Sequence, residues 1–282
     1  MGVASLMAAD TSGPVKLYLR TFDMLVMLLV ALGLVMSACS SSNPVDGETV
    51  KASGPPDVQL DVVAEHSRQF DDEVPTRLAG SQEEFVAAGY ISGHLQQAGY
   101  RVRLDDVPIG DLVSSTNVVA LPPGEGAVEY AVIVPYGTGP GVPPQGTDLG
   151  LFLELARAMA VRDPDHHVEF VALGGEFAEG SGGNLGSRRY LKILEENDEH
   201  PFAITPAVVA GGGFASLGAS GDELNRIAER LGLPEARPLN DPLYPSYLRV
   251  TEMYSGAHIQ HAIATGGAEE VGRVLLELMS GG

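Results

Sequence analysis

The sequence predicts a three-layer α/β sandwich built around a mixed, mainly parallel β-sheet. Short apolar segments alternate with helical patterns from residue 81 to the end of the chain, which is typical of strands and helices that pack in layers. The longer segments, "EYAVIV" and "VEFVAL", are almost wholly apolar, as expected for strands covered on both faces of a sheet. The chain of 282 residues is 44% hydrophobic, which suits one folded domain with additional segments.

The individual elements follow from local signals along the chain. Ser81 is a predicted helix N-cap with Glu84 three places later, a capping box, and Gly99 ends that helix. Strands are predicted at "YRVRL", "NVVAL", "EYAVIV", "VEFVAL" and "AVVAG". Further helices are predicted at "LGLFLELARAMA", at "SRRYLKILEEN", at "GDELNRIAERLG" with Ser220 as its N-cap, and at "GAEEVGRVLLELM".

Residues 1–38 have the features of a bacterial lipoprotein signal peptide. Lys16 and Arg20 precede the apolar run "MLVMLLVALGLVMSAC", which is short for a membrane span but typical of a secretory signal. Cys39 follows small residues, as does the cysteine that is diacylated in a lipobox. We therefore predict that Cys39 carries lipid and that the protein lies on the cell membrane or outer membrane, facing away from the cytoplasm. The alternative is an uncleaved N-terminal anchor with an incidental cysteine.

The remaining chain divides into a tether and one domain. Residues 39–57 are rich in Ser, Gly and Pro, which favours a flexible linker, and residues 58–282 show no internal repeat. The chain has 37 acidic and 17 basic residues, a formal net charge of −20. This charge would repel a phosphate backbone, so nucleic acid is excluded as a partner. The predicted partners are the membrane, through the lipid anchor, and a peptide or small-molecule ligand.

Four sequence blocks stand out by their order and spacing: "RLAGSQEEFVAAGYISGHLQQAGYRV", "STNVVALPPG", "GLFLELARAM" and "VEFVALGGEFAEGSGGNLGSRRYL". They resemble the co-catalytic zinc aminopeptidases, the family that also includes the glutaminyl cyclases, and the resemblance covers roughly residues 65 to 280. The resemblance implies a mainly parallel sheet of about eight strands between helices. It also implies two zinc ions held by two His, two Asp and one Glu, with a neighbouring Glu as general base.

Most of the ligand positions that the resemblance implies hold residues that cannot bind metal. Only Glu176, at the general-base position, and His261, expected in a loop before the last helix, match the family at these positions. The non-matching residues are Pro135 at the first His, Gly137 at its orienting Asp, Pro144 at the bridging Asp, Phe177 at the ligand Glu, and Ala210 at the last Asp.

The chain is therefore predicted to be a degenerate, non-catalytic member of this group that requires no cofactor. Glu176 is interpreted as the relic of a general base that now holds its glycine-rich loop or binds a ligand amine. Phe177 is expected to be buried in the volume that a metal would take. No nucleophile elbow and no P-loop lysine occurs in the sequence.

Two further functions remain open. The first is an active zinc-dependent aminopeptidase with rearranged ligands, and the second is a purely structural envelope protein. The adjacent pair His166 and His167 is expected to be a solvated turn at the end of the sheet opposite the site. The replacement ligands available in the sequence are His166, His167, Asp148, Glu179, His258 and His261.

Overall fold

A computed structural model of the chain describes residues 52–124, 126–139, 145–179, 182–208, 216–218, 226, 228–233 and 253–281. All of them belong to one compact unit, Val50–Gly282. Cys39, Pro144, Ala210 and Ser220 lie outside the described residues. Within the described part of the chain, every helix is too short or too polar to cross a bilayer.

The centre of the fold is a mixed, mostly parallel sheet, which confirms the predicted fold class. Seven strands are described, in the order β1-β2-β4-β3-β5-β7-β6. β3, β4, β5 and β7 run parallel to one another, whereas β1, β2 and β6 pair antiparallel with their neighbours. The strands are β1 Arg101–Pro108, β2 Ser114–Leu121, β3 Tyr130–Pro135, β4 Val168–Leu173, β5 Phe202–Val208, β6 Ser216–Gly218 and β7 His261–Gly266.

Helices cover both faces of this sheet. Along β3, Val132 and Val134 enter one apolar core, while Ala131 and Ile133 enter the other, because successive side chains of a strand point to opposite faces. The first core includes residues of α1, α2, α3 and α5, and the second includes residues of α4. The helices are α1 Leu60–Arg68, α2 Gln82–Gln97, α3 Gly146–Arg162, α4 Leu185–Asn197 and α5 Ala268–Met279, and a π-helical turn, Gln69–Glu73, follows α1.

Two expectations for the carboxyl-terminal half were wrong. The strand predicted at "AVVAG" begins five residues earlier, at Phe202, and contains Pro206, a residue that normally argues against a central strand. Residues 261–266, expected as a loop, form β7, in which all positions except Thr265 are buried. A six-residue segment carries too little periodicity to be recognised as a strand from its own sequence. The sequence also did not predict α1.

Candidate functional site

The carboxyl ends of the parallel strands form the candidate site. β3 connects through α3 to β4 on one side, whereas β5 leads towards β7 on the other. The strand order therefore reverses direction between β3 and β5, and α/β proteins bind ligands in the crevice at such a switch point. Glu176 follows the end of β4 by three residues and Asp148 lies in the first turn of α3, so both are placed at this edge.

Glu176 is buried, and both of its carboxylate oxygens accept hydrogen bonds from the start of α4. Its side chain is 3% exposed. Oε1 accepts a hydrogen bond from the backbone N–H of Ser187, and Oε2 accepts one from the Ser187 hydroxyl at 3.0 Å. The N–H groups of a first helical turn have no partner within the helix. The carboxylate therefore holds the glycine-rich loop to the helix that follows, the structural role that was one of its two predicted functions.

The local backbone requires both glycine and a left-handed asparagine around this contact. Gly175, between β4 and Glu176, has φ +68°, and Asn184, before α4, has φ 56°. A Cβ on Gly186 would lie 2.3 Å from the Gly174 carbonyl oxygen and 3.0 Å from Glu176 Oε1. Only a residue without a side chain allows α4 to approach the end of β4 so closely.

Burial makes ionisation of Glu176 unfavourable. Burial raises the pKa of Glu176 from 4.5 to about 7, although the two bonds from Ser187 and the charge of Arg188 oppose the rise. A general base does best with a pKa near the working pH, so this value alone would suit catalysis. A base must also reach the proton it removes, and both oxygens of Glu176 already accept bonds from Ser187.

Glu84 is a second buried carboxylate at this edge. Ser81 caps α2 by accepting from the Glu84 N–H, which confirms the predicted N-cap. The Glu84 side chain then reaches back to the N–H of Gly80 at 2.6 Å, one residue before the N-cap. Its other oxygen accepts the N–H of Gly175 at 2.9 Å, 91 positions along the chain. Glu84 thereby joins the start of α2 to the loop after β4, a function that the sequence did not reveal.

Asp71 and Asp148 also bind backbone N–H groups near the same edge. Asp71 accepts the N–H of Gly146, at the start of α3, at 3.1 Å. Asp148 accepts the N–H of Val208, the last residue of β5, at 2.7 Å. All four acidic side chains therefore hold loop or helix ends in place.

Phe177 lies against the residues that follow β3. A Cβ on Gly139 would lie 2.6 Å from Phe177 Cβ, and one on Gly137 would lie 4.0 Å from its ring. The ring thus covers the backbone where the resemblance implies an Asp at Gly137. Pro135, at the implied His position, ends β3 and pairs in register with Leu173. Phe177 is only partly buried, so the expectation that it belongs to the core was wrong.

The candidate histidines lie at the opposite edge of the sheet. His261 begins β7 in register with Ala203 at the start of β5, which places it at the amino ends of the parallel strands. It is 4% exposed, and its Nε2 lies 2.9 Å from the Thr205 hydroxyl. His258, exposed and with φ 60°, precedes the same strand. The structure therefore does not bring these histidines to Glu176.

His166 is a buried structural residue, so the expectation of a solvated turn was wrong for it. It is 2% exposed and precedes β4. Its Nδ1 accepts the N–H of Val168 at 3.1 Å, so the ring proton is on Nε2, which lies 2.9 Å from the Tyr100 hydroxyl. Tyr100 in turn donates to the Ala156 carbonyl. Burial lowers the pKa of His166 to about 4, and the ring is neutral near pH 7.

Solved structures with a similar fold come from three kinds of enzyme. A leucine aminopeptidase precursor from Bacteroides thetaiotaomicron has a TM-score of 0.61 at 16% identity, covering 81% of this chain and 99% of its own. A glutaminyl cyclase from the same organism, bound to N-acetylhistamine, gives 0.60 at 17% identity, covering 81% and 100%. A zinc-dependent exopeptidase from Parabacteroides distasonis gives 0.59 at 14% identity, covering 81% and 100%.

This chain has the fold of the zinc aminopeptidases and glutaminyl cyclases. The predicted resemblance is thereby confirmed at the level of the fold. No family model and no curated protein sequence matches the chain.

The residues described at the carboxyl edge do not fit the zinc ions that this fold implies. A catalytic zinc ion needs about three protein ligands from His, Asp, Glu or Cys. Among the described residues, no three such side chains are grouped to hold a metal ion. Of the replacement ligands considered, Asp148 and the exposed Glu179 are the two placed at this edge, and Asp148 is bonded to Val208.

Proposed function

We propose that this protein is a lipid-anchored extracytoplasmic binding module that has the zinc-aminopeptidase fold and lacks its catalysis. Lipidation of Cys39 would anchor it, and residues 39–57 would form the tether. The observation that carries the non-catalytic proposal is the placement of the Glu176 carboxylate, whose two oxygens both accept bonds from Ser187.

The chemistry of the fold explains why this placement matters. In a zinc peptidase, the metal lowers the pKa of a bound water, and a neighbouring carboxylate takes the proton. Here the Glu176 carboxylate is turned towards α4, and the neighbouring ligand position holds Phe177, whose side chain offers only a ring. The residues at this edge support retention of a ligand better than they support hydrolysis of a peptide bond.

The proposed ligand is a peptide or small molecule held in the crevice at the carboxyl edge. Ligand pockets combine apolar walls with a few polar groups. The partly exposed ring of Phe177 supplies an apolar contact, and the exposed carboxylate of Glu179 supplies a polar one in the same loop. Glu179 is therefore better placed than Glu176 to meet the free amine of a peptide.

The test uses the full chain in detergent and measures catalytic turnover and peptide binding separately. Zinc content is measured by mass spectrometry, and aminoacyl-nitroanilides and short peptides are assayed with added zinc, cobalt or manganese. Peptide binding is measured by calorimetry for the parent, Glu176→Gln and Glu179→Gln. We expect no turnover, and peptide binding that weakens in Glu179→Gln more than in Glu176→Gln.

Metal-dependent turnover that disappears in Glu176→Gln and persists in Glu179→Gln would overturn the non-catalytic proposal and favour an active metallopeptidase. Absence of both turnover and binding across the panel would contradict the binding module and favour a structural envelope protein.

A further inference from the structure

Five large apolar side chains are exposed at one corner of the domain, which we call the apolar corner. It consists of two chain segments, the start of α2 with the residues before it and the turn between β1 and β2. The exposed fractions are 48% for Leu78, 76% for Phe85, 46% for Val86, 97% for Leu112 and 46% for Val113. Single exposed apolar residues are ordinary on a protein surface, but a contiguous group marks an interaction site.

The two segments are in direct contact. A Cβ on Gly80 would lie 2.3 Å from Val113 Cγ1 and 3.2 Å from Ile109 Cδ1, so the turn between the strands packs on the chain just before α2. The turn itself is closed by the Ile109 N–H, which donates to the Val113 carbonyl at 2.9 Å. Leu112 is therefore exposed on a turn whose two ends, Ile109 and Val113, are hydrogen-bonded to each other and pack on Gly80.

Hydrogen bonds also hold the other segment, the start of α2 with the residues before it. The Ser81 N–H donates to the Leu78 carbonyl at 2.9 Å, and the Phe85 N–H donates to the Ser81 carbonyl at 3.2 Å. Glu84 anchors the same turn through Gly80. A backbone that is held before binding loses little conformational entropy when a partner binds, so more of the contact energy appears as affinity.

The exposed charges within the two segments of the apolar corner have one sign. Residues 78–86 and 109–113 contain no Lys or Arg, and their exposed charged residues are Glu83 and Asp111. A second copy of this chain would bring equal charges together across the interface, and an anionic bilayer would repel the whole protein at its net charge of −20. The complementary surface is apolar at its centre and positively charged at its rim.

We propose that the apolar corner is a docking surface for a cationic amphipathic segment of a partner protein. Leucine-like side chains of the partner would pack on Phe85 and Leu112, and flanking lysine or arginine side chains would lie beside Glu83 and Asp111. The apolar corner lies beside the loop after β4, where Glu84 accepts the Gly175 N–H, and the interaction requires neither metal nor turnover.

The probe is a fluorescein-labelled amphipathic helix of alternating leucine and lysine blocks, with binding followed by fluorescence anisotropy at about 0.15 M salt. In the double variant Phe85→Ser, Leu112→Ser, we expect the dissociation constant to rise about tenfold or more, because two apolar contacts are removed. The matched control is Leu60→Ser, Leu104→Ser, which removes two leucines that are 45% and 59% exposed outside the corner. This control should bind like the parent.

A peptide with serine in place of leucine separates charge attraction from apolar docking. We expect it to bind at least about tenfold more weakly than the leucine peptide. Equal affinity of the two peptides, or equal affinity of the parent and the corner variant, would overturn the proposal. So would equal weakening in the control variant, or a dimer or zwitterionic-vesicle complex of the parent that the corner variant abolishes.

Discussion

Replacement of Glu176 by glutamine should stabilise the protein at alkaline pH. Burial raises the Glu176 pKa from 4.5 to about 7, so the folded state holds a proton that the unfolded state releases. Stability is therefore lost as the pH rises from about 4.5 towards 7, and the full loss is present above that range. The shift corresponds to about 3 kcal/mol. Glutamine keeps the oxygen that accepts the Ser187 N–H, and its amide can donate to the Ser187 hydroxyl.

The assay is denaturant unfolding of parent and Glu176→Gln at pH 5 and pH 8.5. The variant should gain up to about 3 kcal/mol at pH 8.5 and under about 1 kcal/mol at pH 5. For a domain of this size the larger gain corresponds to a melting temperature raised by roughly 5–10 °C. Glu179→Gln, in the same loop but exposed, is the control and should change neither value. A loss of stability at pH 8.5 would refute the reasoning, because it would mean that the site favours an ionised carboxylate over a neutral amide.

Three further predictions address the anchor, the ligand position and the buried histidine. Cys39→Ala should abolish incorporation of radiolabelled fatty acid, and incorporation equal to that of the parent would contradict the lipobox. Phe177→Glu should lower the unfolding free energy by about 1 kcal/mol, less than for a fully buried ring, without producing zinc-dependent peptidase activity; an unchanged free energy would show that its contact with Gly139 is not stabilising. The low pKa of His166, about 4, should make the parent lose about 2 kcal/mol more stability than His166→Gln as the pH falls from 7 to 5. The exposed control His200→Gln should lose as much as the parent; an equal loss in both variants would contradict the prediction.

The fold could be predicted from the sequence because its signals are local. Apolar runs predicted β3 and β4, and the spacing of Ser81 and Glu84 predicted the start of α2. β7 was not predicted because its six residues have no pattern that distinguishes a strand. The start of β5 was not predicted because Pro206 normally argues against a central strand. In each missed case the strand is specified by its neighbours in the sheet rather than by its own pattern.

The candidate site was predicted only in part, for a related reason. Sequence comparison showed which side chains could not bind metal, such as Pro135 and Phe177, without reference to the fold. It could not show that Glu84 reaches Gly175, because that contact joins residues 91 positions apart. Nor could it place His261 at the amino edge, since the position depends on assigning residues 261–266 to a parallel strand.

Metal-ligand positions and the carboxylates that bind backbone N–H groups differ in how much their replacement would lower the stability of the fold. A metal ligand bonds to the metal and not to the backbone. Phenylalanine in place of a ligand at position 177 therefore leaves no backbone group without a partner. Glu84 and Glu176 accept N–H groups of Gly80, Gly175 and Ser187, and a buried N–H left unpaired costs about 1–3 kcal/mol. Folding alone therefore favours a side-chain hydrogen-bond acceptor at positions 84 and 176, whether or not the protein has any catalytic activity. The presence of Glu176 at the general-base position is therefore no evidence for catalysis.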